Sequence, residues 1–191
     1  MKLRLAVIVG STRSGRFGPT VADWFAGRAA KRGDFDLDLI DLATANLPPT
    51  LTDGDEPTPA EVAVLAPRLA AADAFAVVTP EYNNSFPAPL KTALDWYYEE
   101  WHAKPVAIVS YGRESGGLYA AAQLRQIFTE LHAVTIHHTV TLPCYWQQFA
   151  ADGSWPRPGA GYDASAKTTL DQLAWWAEAL REARTKHPYQ P

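Results

Sequence analysis

Short apolar runs alternate along this chain with longer stretches whose apolar residues recur at helical spacing. Leu3–Val9 reads as a first strand, and the pattern from Pro19 to Lys31 puts Val21, Trp24, Phe25 and Ala29 on the inner side of a helix. Gly33 stops that helix, and Phe35–Asp41 alternates like a strand at a sheet edge, with Phe35, Leu37 and Leu39 inward. Residues 46–59 gather prolines and a glycine, which predicts a long loop bordering a site. Ala60–Ala71 reads as a short helix broken near Pro67, and Phe75–Thr79 as a central strand, apolar on both faces. A loop at 80–87, a helix over 88–101, a fourth strand Val106–Ser110 and a loop from Tyr111 to Gly116 come next. Gly117–Leu131 predicts a helix with Leu118, Ala121, Ala122, Leu124, Phe128 and Leu131 inward. Val134–Val140 supplies a fifth strand, and Ala164–Arg184 a last helix held by Leu170, Leu173, Ala174, Ala177 and Leu180. No repeat or linker divides the chain, so residues 1–191 read as a single domain.

Strands separated by helices throughout require a parallel sheet covered on both faces, joined by right-handed crossovers. In that architecture a ligand sits beyond the carboxyl ends of the strands. The loops 10–18, 80–87 and 111–117 all leave such ends, and all carry glycine, hydroxyl, amide or aromatic residues. Their convergence is the main sign of a site.

The first loop, Gly10-Ser11-Thr12-Arg13-Ser14-Gly15-Arg16-Phe17-Gly18-Pro19-Thr20, reads as an anion cradle. Proline suits the first helical position, and the free N–H groups of a helix start point into the loop with the positive dipole end. The hydroxyls of Ser11, Thr12, Ser14 and Thr20 and the forks of Arg13 and Arg16 suit phosphate. Gly10-x-x-x-x-Gly15 matches half of a nucleoside-triphosphate loop, but Arg16-Phe17 replace its Lys-Ser/Thr and Phe75–Thr79 offers no acid for magnesium. The dinucleotide pattern G-x-G-x-x-G fails at Thr12. A single terminal phosphate monoester remains, against the plainer alternative of a polar strand-to-helix turn.

Pro80-Glu81-Tyr82-Asn83-Asn84-Ser85-Phe86-Pro87 joins rigid prolines, an aromatic ring and amides, a mixture suited to the edge and face of a flat heterocycle. The alternative is a tight turn in which Asn84 or Ser85 caps the next helix. Ser110-Tyr111-Gly112-Arg113-Glu114-Ser115-Gly116-Gly117 brings glycines that permit close backbone approach and a second positive helix end facing the site. A field of that sign would stabilise negative charge on an electron-accepting ring. The spacing Gly112-x-x-Ser115-Gly116 is not the hydrolase elbow G-x-S-x-G. His137 and His138, adjacent in a strand, would leave opposite faces and could not share a metal ion. Cys144 lacks the positive neighbours of a reactive thiolate, His132 suits a helix end, and Asp36, Asp38 and Asp41 read as a solvated strand edge.

Composition then narrows the class. A net charge of −4 over 191 residues provides no general attraction to nucleic acid or to an anionic membrane. No apolar run approaches the roughly 20 residues of a membrane span, and the chain enters its first strand without a signal-like stretch. A lone Cys144 leaves nothing to form an internal disulfide, so a reducing, cytoplasmic setting is expected. Aromatic residues crowd the second half, where core packing accounts for most of them.

The chain resembles the NADPH-dependent FMN reductase family, which includes flavodoxin-like quinone, azo-compound and chromate reductases. The resemblance rests on Gly10–Arg16, on Pro80-Glu81-Tyr82-Asn83 with Ser85 and Pro87, on Leu90-Lys91-x-Ala93-Leu94-Asp95-Trp96, and on Gly116-Gly117 with Gln123-Leu124-Arg125. It implies a flavodoxin-like α/β three-layer sandwich whose five-stranded parallel sheet has the order 2-1-3-4-5. It also implies tightly bound FMN, NADPH or NADH as co-substrate, a small flavin or quinone acceptor, and a homodimer whose partner helps wall the site, with pairing into tetramers open. By the same resemblance, Ser11, Arg13, Arg16, Phe17, Gly18 and Thr20 would hold the FMN phosphate. Pro80, Glu81, Tyr82 and Asn83 would hold the ribityl chain and ring, and Ser110, Gly112, Gly116 and Gly117 would line the ring's other edge. The bulky, charged 111–115 stretch departs from the small loop expected there, and 144–158 has no assignable role. No acid/base residue is required, since the cofactor carries the chemistry. A flavodoxin-type electron carrier and an FMN enzyme of specialised metabolism stand as alternatives.

Overall fold

A computed structural model describes residues 1–52, 56–159 and 161–191; Asp53, Gly54 and Asp55 of the long loop, and Ala160, lie outside the described residues. The chain runs β1 (Leu3–Val9), α1 (Gly18–Arg32), β2 (Phe35–Asp41), a single turn α2 (Leu42–Ala45), α3 (Ala60–Ala71) and β3 (Ala74–Pro80). It continues through α4 (Ala88–Trp96), β4 (Pro105–Gly112), α5 (Leu118–Glu130), β5 (Val134–Thr135), β6 (Val140–Pro143) and α6 (Tyr162–Lys186). The strands form one parallel sheet in the order β2-β1-β3-β4-β5, with β6 also paired to β4.

Burial follows the strand period. Leu3, Leu5, Val7 and Val9 of β1, with Ala74, Ala76 and Val78 of β3, face α1 and α6. The residues between them, Ala6, Ile8, Phe75 and Val77, face α3, α4 and α5. Every residue of β3 and β4 is buried, as strands covered on both faces must be. At the edge, Phe35 is buried but Leu39 is 46% exposed, and Ile40 takes the inward position instead. Leu118 and Ala122 of α5 also face outward, because Ala120, Ala121, Leu124 and Phe128 carry its contact with the sheet.

Helix α3 passes through Pro67 unbroken. Pro67 and Ala63, whose carbonyl loses its helical donor there, are both exposed, so the carbonyl is open to solvent and need not be buried unpaired. The expected fifth strand is split. Between β5 and β6 the Arg125 guanidinium donates to the carbonyls of Ile136 (2.8 Å) and His137 (2.9 Å) and to Thr139 Oγ1 (2.7 Å), and His138 N–H donates to Gln172 (3.0 Å). His137 and His138 therefore lie outside any strand, and His138 Nε2 meets Ser165 Oγ at 3.0 Å. Among the described residues no helix is long and apolar enough to cross a membrane.

Phe75 has no exposed surface and its ring sits 4.6 Å from that of Trp101, centroid to centroid. Phe75→Ala is expected to lower unfolding free energy by about 3–5 kcal/mol, read as a lower urea midpoint with little change in slope.

Candidate active site

The loop after β1 enters α1 with Phe17 at the N-cap and no side chain capping the helix. Pro19 has no N–H to offer, and among the described residues the N–H groups of Gly18 and Thr20 have no protein acceptor. Gly18 is required by crowding: a Cβ there would lie 2.5 Å from Ser11 Oγ and 2.9 Å from Val9 Cγ1. Ser11 is fully buried beneath this turn, its hydroxyl 3.3 Å from that of Tyr111, whose own ionisation burial pushes up. Ser14, Thr20 and Arg13 are exposed around the open helix start. An anion placed there meets free donors and a positive dipole end.

Arg16 is held otherwise than its sequence position suggests. Its guanidinium makes a bidentate pair with Asp41, both bonds 2.6 Å, and also donates to the Ser11 carbonyl at 2.6 Å. Asp41 is thus no solvated edge residue: it ties the end of β2 to the loop and caps α2 through Ala43 N–H. Asp38 likewise pairs with Arg68. Phe17 turns into an aromatic cluster, its ring 4.7 Å from Tyr145, 5.1 Å from Trp155 and 5.8 Å from Phe149. The segment after β6, which carries no motif of its own, is the packing partner of the helix start.

The second loop leaves β3 at Pro80 and folds into a tight hairpin, with Tyr82 and Ser85 exchanging backbone bonds of 2.8 and 3.0 Å. Asn83 (φ 51°) and Asn84 (φ 61°) supply the left-handed pair that such a turn needs. Neither Asn84 nor Ser85 caps α4; Gln123 of α5 grips both, accepting from Ser85 Oγ at 2.7 Å and donating to the Asn84 carbonyl at 2.8 Å. The Tyr82 ring has Arg13 above it, 5.9 Å from the centroid.

Glu81 joins the second loop to the third. Its carboxylate accepts from Ser115 Oγ (2.8 Å) and from Tyr119 N–H (3.0 Å) in the first turn of α5. The positive end of α5 is therefore already capped by an acid, a correction to its expected field over a ring. Ser110 is fully buried and donates to the Gly116 carbonyl at 3.0 Å, so it shapes the third loop from beneath. The close approach at Gly116 (φ 62°) and Gly117 (φ 91°) is to protein: added Cβ atoms would lie 2.9 Å from Pro143 N and 2.5 Å from Ser110 Cβ. Gly112 is tight against Gly117 N at 3.0 Å.

The three loops meet in one cleft of about 580 Å³, lined by Arg13, Glu81, Tyr82, Asn83, Asn84 and Arg113. That volume falls within the range of small-molecule sites. A smaller hollow of about 330 Å³ borders Thr12 and brings in Asn46, Leu47 and Pro49 of the long loop, which Trp96 Nε1 pins through the Pro48 carbonyl at 2.8 Å. The hollow at the opposite strand ends, bordered by His102 and Lys104, shares none of these residues.

Residues 3–147 match the family model described as NADPH-dependent FMN reductase. The chain belongs to this family. Its relatives include an NAD(P)H-dependent FMN reductase of Schizosaccharomyces pombe, 36% identical over 73% of this chain and 74% of that protein. A 2-hydroxy-1,4-benzoquinone reductase of Burkholderia sp is 34% identical over 72% of this chain and 76% of that protein. Among solved structures, a flavoenzyme NAD(P)H:(acceptor) oxidoreductase of Paracoccus denitrificans superposes with a TM-score of 0.75 at 26% identity, covering 93% of this chain and 98% of that one. As a member of the NADPH-dependent FMN reductases the chain is an oxidoreductase that works with FMN, and its flavodoxin-like sheet order is the one the resemblance implied. The open start of α1 fits a terminal phosphate, and the Tyr82 ring and the asparagine amides beside it fit a flat ring system.

Arg16 holds the Asp41 carboxyl below its ordinary range, chiefly through their hydrogen bonds. A lowered folded-state value gives stability that is present above the unfolded carboxylate range and lost as pH falls through the folded value. Asp41→Asn should therefore cost about 1–2 kcal/mol at neutral pH. The gap to the parent protein should close on acidification below pH ~4, the range of a free aspartate, as measured by denaturation at a series of pH values.

Proposed function

We propose that the protein oxidises NAD(P)H through FMN bound in this cleft and passes the electrons to a small acceptor of the quinone or flavin class. The observation that carries this reading is the convergence of the three loops on one cleft beside an uncapped helix start. FMN, when bound, supplies the two-electron chemistry. The N–H groups of Gly18 and Thr20, with Arg13 and the hydroxyls of Ser14 and Thr20, hold the phosphate; Ser11 and Gly18 set the turn that presents them. Tyr82 and Asn83 flank the ring, their hairpin fixed by Gln123. Glu81 keeps the second and third loops at a constant separation, and Arg16 braces the first loop on Asp41.

The relatives' activities, FMN reduction and benzoquinone reduction, support the acceptor class. Homodimers are the assembly we infer, supported by Leu118 and Tyr119, 56% and 53% exposed at the start of α5 beside the cleft. Light scattering should then give twice 21.0 kDa, or four times that value if dimers pair. The cytoplasm suits a chain whose one cysteine, Cys144, is free.

Purified protein should be yellow or take up added FMN, and should bleach anaerobically with NADPH or NADH and recover colour with a benzoquinone. Ser11→Ala combined with Arg13→Ala should weaken FMN retention by tenfold or more, whereas Cys144→Ser should leave it unchanged. Equal retention in the double variant would remove the phosphate assignment.

A further inference from the structure

Arg113 stands on the third loop with its backbone fixed and its charge uncommitted. Its carbonyl accepts from Gly116 N–H (3.0 Å) and Cys144 N–H (3.1 Å), which anchors the residue at the end of β4. Its guanidinium lines the cleft, yet among the described residues it has no hydrogen bond or ion-pair partner. The carboxylates around it are otherwise engaged or turned to solvent. Glu81 is held by Ser115 and Tyr119 N–H, and Glu114 is exposed without a bond to Arg113. A chain of net charge −4 thus presents two arginines, Arg13 and Arg113, at one cleft with no ion-pair partner among the described residues. An arrangement of that kind raises the local concentration of anions against the field of the whole molecule.

The two arginines stand on loops that leave different strands. The uncapped helix start lies in the loop after β1, whereas Arg113 follows β4, and β3 stands between those strands. With neighbouring strands about 4.8 Å apart, the two loops are anchored roughly 10 Å from each other. We propose that Arg113 is the docking point for a phosphate of the pyridine dinucleotide and so determines its affinity. The proposal rests on the function read above. A planar fork of donors is suited to a dianionic phosphate monoester or to a pyrophosphate. Both occur on NADPH, and only the pyrophosphate on NADH.

Arg113→Ala should raise KM for the dinucleotide about tenfold, with kcat falling far less, FMN content preserved, and Arg113→Lys recovering part of the loss. A rise confined to NADPH assigns the contact to the 2′-phosphate, and an equal rise with NADH assigns it to the pyrophosphate; either outcome supports the proposal. Unchanged KM values for both nucleotides overturn it. Loss of FMN from Arg113→Ala overturns it too, by moving Arg113 to the flavin phosphate. Calorimetric titration with adenosine 2′,5′-bisphosphate and with ADP-ribose gives a readout independent of turnover. At least one should bind more weakly to Arg113→Ala than to the parent, and equal binding of both counts against the proposal even in a protein that oxidises no NAD(P)H. Failure of the functional reading itself would look different: parent protein that neither takes up FMN nor bleaches.

Discussion

Burial of β3 and β4 at every position, and of β1 at every position but Arg4, governs this molecule. Strands with apolar side chains on either side cannot be joined by hairpins without leaving one face to water, so each connection crosses over through a helix. With every strand pointing the same way, the loops that follow β1, β3 and β4 emerge along one rim. Chemistry that is scattered over about a hundred positions of sequence becomes contiguous there through the packing of Phe25, Phe75, Leu124 and Leu170 far below it.

On that rim, polar side chains divide into those that build the loops and those left for a ligand. Ser11, Arg16, Glu81 and Ser110 are all engaged by protein partners, and Gly18, Gly116 and Gly117 make room for neighbouring protein atoms. Among the described residues, what remains without a hydrogen-bond partner is the start of α1, the side-chain amides of Asn83 and Asn84 and the guanidinium groups of Arg13 and Arg113. Preorganisation of this kind lowers the ordering cost of binding, because the loops are held by the protein's own contacts.

Strands and helices were legible because their signals are local. The period of β1 and the both-sided apolarity of β3 depend on nearest neighbours in sequence, and so does the Gly-Ser loop that opens α1. The glycine loops and the Pro-Glu-Tyr-Asn string also disclosed the region of the site. Residue roles within it were less legible, since they depend on partners far along the chain. Asp41 finds Arg16 across 25 positions, Glu81 finds Ser115 across 34, and Phe17 packs on a segment that begins after β6. No spacing rule marks such pairs. The interruption of the fifth strand has the same origin: Arg125 and Gln172 approach from helices on opposite faces and take over backbone groups that a ladder would otherwise have used.

That interruption bears on how the protein stays apart from its neighbours in a crowded cell. An open sheet offers its outermost strands as templates for any extended segment that drifts past, the first step toward fibrils. Here one margin is cut in two and its carbonyls at Ile136 and His137 are claimed by a guanidinium, while on the other margin Arg68 takes the Leu39 carbonyl at 3.0 Å and charged Asp36 and Asp38 stand outward. A stray strand would meet an interrupted ladder at one side and outward charge with a claimed carbonyl at the other, which guards the hydrophobic sheet against self-templated aggregation.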